Sequence, residues 1–202
     1  MSFMVPLVAS ILIVGAIFCT KNHRSESSRV VEVSLDAPYL RAVATVGKKA
    51  SFERILESGG AKLIERTWDD FKFDLREMPR LASWEMRGKG RFRVVSESKE
   101  FPGEMEIDQE IRADRKGVLV DSRLSHPCGF VKEYGTTTSI RNSHPPILRI
   151  ENKIVYQRSI PFWMAKDVDA KVDAHNEQKI QAMIRTIKSI VEGDHAENTA
   201  HQ

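Results

Sequence analysis

Residues 3–20, FMVPLVASILIVGAIFCT, run without a charged side chain, and Lys21 is the first charge in the chain. About 20 apolar residues span the hydrocarbon core of a bilayer and about 17 is near the minimum, so residues 1–20 read as a single-pass transmembrane anchor. A cleaved signal peptide, the alternative, carries a basic stretch before its apolar run and a small-x-small site after it. Here nothing basic precedes the run, and the best such triplet, Val14-Gly15-Ala16, falls inside it. Lys21, Arg24 and Arg29 follow the run, which favours a membrane protein with its folded part on the cytoplasmic side.

Beyond the apolar run the pattern changes several times. Residues 21–29, KNHRSESSR, are polar and Ser-rich and read as a linker. VVEVS (30–34) is a strand with Val31 and Val33 on one face. Asp36-Ala37-Pro38 starts a helix with Asp as cap, and helical stretches cover 38–46 and 49–58, stopping at Gly59-Gly60. Within 61–78, Ile64, Trp68, Phe71, Leu75 and Met78 have helical spacing while Phe71, Phe73 and Leu75 alternate; the aromatic content and the stop just upstream favour a strand.

From Trp84 the alternation is plain. Trp84, Met86, Gly88, Gly90, Phe92 and Val94 share one face, and Arg87, Lys89, Arg91 and Arg93 the other. Residues 104–112 repeat the pattern with acidic residues, Glu104, Glu106, Asp108 and Glu110, opposite Met105, Ile107 and Ile111. Further strands fall at 117–125, 133–141 and 148–158. Pro161 opens a long helix to Glu192, its apolar stripe running from Val168 through Val172, Ile180, Met183, Ile184, Ile187 and Ile190 to Val191, with Gly193 as the stop and DHAENTAHQ (194–202) as a disordered tail. The organisation is therefore an anchor at 1–20, a linker at 21–29, one α+β domain at 30–193 and a tail at 194–202.

Charge changes this picture little. The chain has 31 basic and 28 acidic residues, a net charge of +3, too small and too dispersed for a nucleic-acid binder. Were 84–95 and 104–112 an antiparallel hairpin, the basic and acidic stripes would share its outer face, with Arg93 opposite Glu104 or Glu106 and Lys89 opposite Asp108 or Glu110. That pairing neutralises the patch an anionic ligand would need. On the inner face Gly88 and Gly90 pack no side chain, leaving space that either the long helix fills or a cavity keeps. Asp173, His175 and Asn176 interrupt the helix stripe, at a ligand or where the helix passes the sheet edge.

Chemical motifs are absent. The chain lacks phosphate-binding glycine loops, a His-Glu-x-x-His pair and a Gly-x-Ser-x-Gly elbow, and no cofactor is implied. His126, Cys128 and His144 match no zinc spacing, so no metal is expected. Cys19 and Cys128 are too differently placed to imply a disulfide. No catalytic residue stands out, and the sequence leans away from an enzyme.

The order of one strand, two short helices, an antiparallel meander and a long amphipathic C-terminal helix resembles the helix-grip fold of the START and Bet v 1-like superfamily. The resemblance rests on VVEVS with Asp36-Ala37-Pro38, on the meander from Trp84 to Ile160 and on the helix from Pro161 to Glu192, covering about residues 30–192. It is one of layout, without a shared motif, and a membrane anchor departs from many members. It implies an antiparallel sheet wrapped on the long helix, with space between them that often holds a hydrophobic ligand. Three readings follow. The first is a membrane-tethered binding module for a lipid or other hydrophobic molecule, its cavity lined by Trp84, Gly88, Gly90, Phe92, Tyr156, His175 and Met183. The second is a ligand-free interaction domain at the membrane surface. The third is a cyclase- or hydrolase-like enzyme, which needs His126, His175 or Tyr156 to point inward. The bilayer is the expected partner in each; no protein partner is indicated.

Overall fold

A computed structural model describes residues 20–76, 83–96 and 103–199. The proposed anchor lies outside them but for Thr20, and among the described residues no helix is long and apolar enough to cross a membrane. Seven strands, β1 (Thr20–Ser34), β2 (Ala61–Arg76), β3 (Ser83–Ser96), β4 (Gly103–Asp114), β5 (Gly117–Leu124), β6 (Val131–Arg141) and β7 (Ile147–Pro161), form one antiparallel sheet in the order β1-β7-β6-β5-β4-β3-β2. Helices α1 (Tyr39–Val46) and α2 (Lys49–Ser58) join β1 to β2, and α3 (Ala165–Thr199) follows β7 after a single 3-10 turn at Phe162–Met164.

The meander matches the alternation in the sequence. Phe92 and Val94 are buried on the inner face while Arg91 and Arg93 are exposed on the outer. Arg93 pairs in register with Glu106 and Lys89 with Glu110. Arg91 Nε lies 2.9 Å from both Asp108 and Glu106, and Arg93 bonds Glu65 at 2.6 Å and Glu104 at 3.2 Å. The outer charges are therefore mutually paired, each exposed pair contributing at most about 1 kcal/mol. Residues 61–76 are a strand.

Four expectations need correction. Residues 21–29 are the first part of β1 and not a linker; the inward residues there are Ser25 and Ser27, both buried, so a polar inner face removed the apolar signal. Asp36 does not cap α1 through its side chain; its backbone N–H donates to Glu192 on α3 instead. Pro161 closes β7, and the α-helix begins at Ala165. Gly193 does not end α3, which continues to Thr199.

Three apolar clusters hold the layers together. The largest joins Leu35, Tyr39, Ala42 and Ile55 to Ile140, Leu148 and Ile150 of the sheet and to Ile180, Met183, Ile184, Ile187, Ile190 and Val191 of α3. A second gathers Ala61, Phe92, Val94 and Ile107 under α2. The third places Val172 on Val131, Ile154 and Tyr156. Burying one such aliphatic side chain contributes about 1.5–3 kcal/mol, so the C-terminal half of the α3 stripe is the main clamp.

Candidate functional site on the inner face

A row of polar residues crosses the inner face, one each from β4, β5, β6 and β7. Gln109 pairs in register with Gly90 on one side and Ser122 on the other, Ser122 with Thr136, and Thr136 with Asn152. Because inward residues recur every second position, this row is set by register and is invisible in any single strand. Buried polar groups must find partners, and these do. Gln109 donates to Ser122 Oγ at 3.1 Å, and the Thr136 hydroxyl donates to Asn152 Oδ1 at 2.7 Å. Asn152 Nδ2 donates to Asn176 Oδ1 on α3 at 2.7 Å, and Asn176 Nδ2 to Ser27 Oγ at 2.9 Å. Ser27 then donates to Asp173, at 2.7 Å, which also holds Arg29. The polar break in the α3 stripe is thus a graft of the helix onto β7 and β1.

At the other end of the row, Arg66 of β2 donates to Gln109 of β4 at 2.8 Å, reaching past β3. Its guanidinium is sandwiched between Phe52 at 4.0 Å and Trp68 at 4.4 Å, an arrangement that favours a cation through the ring quadrupoles. Burial lowers its pKa from the ordinary arginine value, leaving it charged.

Where the apolar clusters meet, a cavity of about 30 Å³ is lined by Met105, Val131, Ile154, Tyr134, His175, Lys179 and the Gly59–Ala61 turn. The Lys179 ammonium sits 4.3 Å from the Tyr134 ring centroid. Tyr134 Oη lies 2.7 Å from Thr136 Oγ1. Burial raises the Tyr134 phenol, but the Lys179 charge and the hydrogen bonds outweigh it and hold the group below its usual pKa. A cation, a phenol and an imidazole thus line one small space whose other walls are mostly apolar, with Ser96 at one side.

The structure does not gather Gly88, Gly90, Phe92, Tyr156, His175 and Met183 around one cavity. Gly88, Gly90 and Phe92 do share the inner face, but the space above Gly90 is taken by Trp68 of the neighbouring strand: a Cβ there would meet Thr67 O at 2.5 Å and Trp68 Cε3 at 2.8 Å. Phe92 packs edge-on against Phe52, Tyr156 lies in the third cluster against Val172, and Met183 belongs to the main core. Among the described residues of this set, His175 alone lines the cavity. The side chain of Trp84 lies outside the described residues. For an enzyme, His126 is exposed and Tyr156 is packed among apolar groups, so only His175 of the three candidates borders the cavity. Among the described residues no cluster of His, Cys, Asp and Glu could hold a metal. Tyr134, Lys179 and Arg66 escaped the sequence reading because a lysine on a helix and a tyrosine or arginine on a strand carry no signal until the faces are known.

The layout is the one expected from the sequence, an antiparallel sheet of seven strands packed on a long C-terminal helix. No protein-family model matches the chain, and no curated protein matches it either. Solved structures with a similar course include an uncharacterised protein from Rhizobium leguminosarum, 13% identical, covering 86% of this chain and 99% of that one with a TM-score of 0.47. Norcoclaurine synthase from Thalictrum flavum is 15% identical, covering 84% and 95% with a TM-score of 0.46. An aromatase/cyclase from a Streptomyces species is 10% identical, covering 84% and 94% at 0.45. These likenesses concern the fold alone.

Proposed function

We propose that this domain is a binding module for an apolar molecule with one anionic or polar end, held between the sheet and α3 and tethered to a membrane by residues 1–20. The observation that carries this reading is the convergence of Lys179, His175 and Tyr134 on a cavity walled by Met105, Val131 and Ile154. A half-buried cation bordered by apolar side chains suits a carboxylate or phosphate head whose tail replaces apolar packing. The cavity holds about two waters at most, so entry of a tail requires α3 to move away from the sheet near the Gly59-Gly60 turn, where Gly60 has φ 76°. The tether rests on the uncharged run up to Thr20, and the lysine and arginines that follow it favour the cytoplasmic face.

The test is native mass spectrometry of the full chain extracted in mild detergent, combined with titration of an anthroyloxy fatty acid. A retained amphiphile is expected, with probe affinity falling about tenfold in Lys179→Met, the loss of about 1.4 kcal/mol. Absence of both a retained molecule and probe binding sinks the reading. It would leave the second one, a ligand-free interaction domain at the membrane surface, which the small size of the cavity favours.

A further inference from the structure

Phe162, Trp163 and Met164 form the 3-10 turn between β7 and α3, and they project from the domain: Phe162 is 65% exposed, Trp163 57% and Met164 40%. Phe162 and Trp163 stack edge-to-face at 5.2 Å, so they present one joined aromatic surface. Adjacent large apolar side chains held outward in this way mark an interaction site, in contrast to single scattered ones. Their position identifies the partner. Thr20, the first residue of β1, pairs in register with Pro161, the residue immediately before Phe162. The uncharged run of residues 3–20 therefore joins the domain beside this turn.

We propose that the Phe162-Trp163-Met164 turn docks into the interfacial region of the bilayer that the N-terminal run enters. The inference rests on the tether in the preceding section. An indole and a phenyl ring at the membrane–water boundary occupy the depth that Trp and other aromatic residues favour, with the apolar ring among acyl chains and the N–H hydrated. Lys21, Arg158 and Lys166 are exposed around the turn, balanced in part by Asp167 in the first turn of α3, and so can lie at the headgroup level. The same end of the sheet carries Phe130, 45% exposed, with the Arg158 guanidinium 4.7 Å above its ring. Two attachment points, one covalent and one by insertion, fix the orientation of the domain. The β1–β7 end then faces the lipid.

The full chain is reconstituted in phosphatidylcholine vesicles with or without brominated acyl chains, and tryptophan emission is compared between wild type and Trp163→Phe. Docking is expected to give bromolipid quenching in the wild type that is mostly lost in Trp163→Phe, with an unchanged thermal transition showing that the variant is folded. Retention after alkaline carbonate washing reports the tether separately. Retained protein whose quenching is absent, or survives in Trp163→Phe, overturns the docking and leaves the tether standing. If the chain is not retained, the tether fails, and co-sedimentation with the same vesicles decides docking alone: Trp163-dependent sedimentation supports it and its absence overturns it. High-yield self-crosslinking of Phe162→Cys in the vesicles assigns the turn to a second copy of the chain and overturns the proposal.

Discussion

The indole of Trp68 lies against Gly90 across the β2–β3 pair, so close that a methyl group on Gly90 would come within 2.8 Å of the ring and 2.5 Å of the Thr67 carbonyl. Gly90→Ala must push the backbone of β2 or displace the indole that, with Phe52, sandwiches Arg66. A cost of about 1–3 kcal/mol is expected, lowering the thermal midpoint by roughly 2–10 °C. Gly135→Ala is the control, since its nearest atom is Ser122 O at 3.8 Å. Equal midpoints for the two variants would contradict the account.

Asn152 and Asn176 are each 1% exposed and bonded to one another. Asn176→Ala leaves Asn152 Nδ2 without its acceptor and Ser27 without a donor, so a loss of about 1–3 kcal/mol is expected by urea denaturation. Adding Asn152→Ala should cost less than the sum of the single changes, because the two groups form one interaction. Strict additivity would mean that the helix is not joined to the sheet through this pair.

Lys179→Met should raise the Tyr134 phenol, because the nearby charge that favours the phenolate is gone. Absorbance titration of the phenolate band follows this directly. The Tyr134 ionisation, identified by its loss in Tyr134→Phe, should move upward in Lys179→Met, whereas Tyr39, raised by burial and by Asp114, should be unchanged. A titration identical to wild type in both variants would remove Lys179 from the site.

Stability should fall in acid. Hydrogen bonding from Arg112 holds Glu110 below the ordinary carboxylate range, and Lys153 does the same for Glu133. Burial raises Asp108, but its bond and charge contact with Arg91 leave it lowered too. With folded pKa values below unfolded ones, the unfolded chain takes up protons first as pH falls. The stabilisation is complete above the usual carboxylate pKa of about 4 and is lost as pH falls below it. Urea midpoints at pH 7, 5, 4 and 3 check this, and 1 M salt should flatten the curve because the pairs are exposed. A midpoint unchanged down to pH 3 would contradict it.

What could be read from the sequence follows from how each element hides its apolar side. The β3–β4 hairpin was legible because arginines and glutamates alternate with Phe92, Val94 and Ile107, so a single strand declares its faces. The first half of β1 was not, because the inward positions are the polar Ser25 and Ser27, and Ser27 is held by hydrogen bonds to Asp173 and Asn176 of α3 and not by apolar packing. Gly90 was rightly placed inward, but what fills the space is the neighbouring strand, and that needs the Trp68–Gly90 register. The candidate site was least legible of all. Tyr134, Lys179 and Arg66 sit on three different elements, and only the sheet order brings their faces together.

The pairing of β1 with β7 also dictates the order in which the molecule can be assembled. All fifteen residues of β1 find their ladder partners in residues 147–161, so β1 stays unpaired until nearly the whole sheet has been synthesised. Contacts this far apart in sequence close slowly. Residues 1–19 therefore emerge well before the domain they precede can fold, and whatever captures them meets a nascent chain whose first strand is still open.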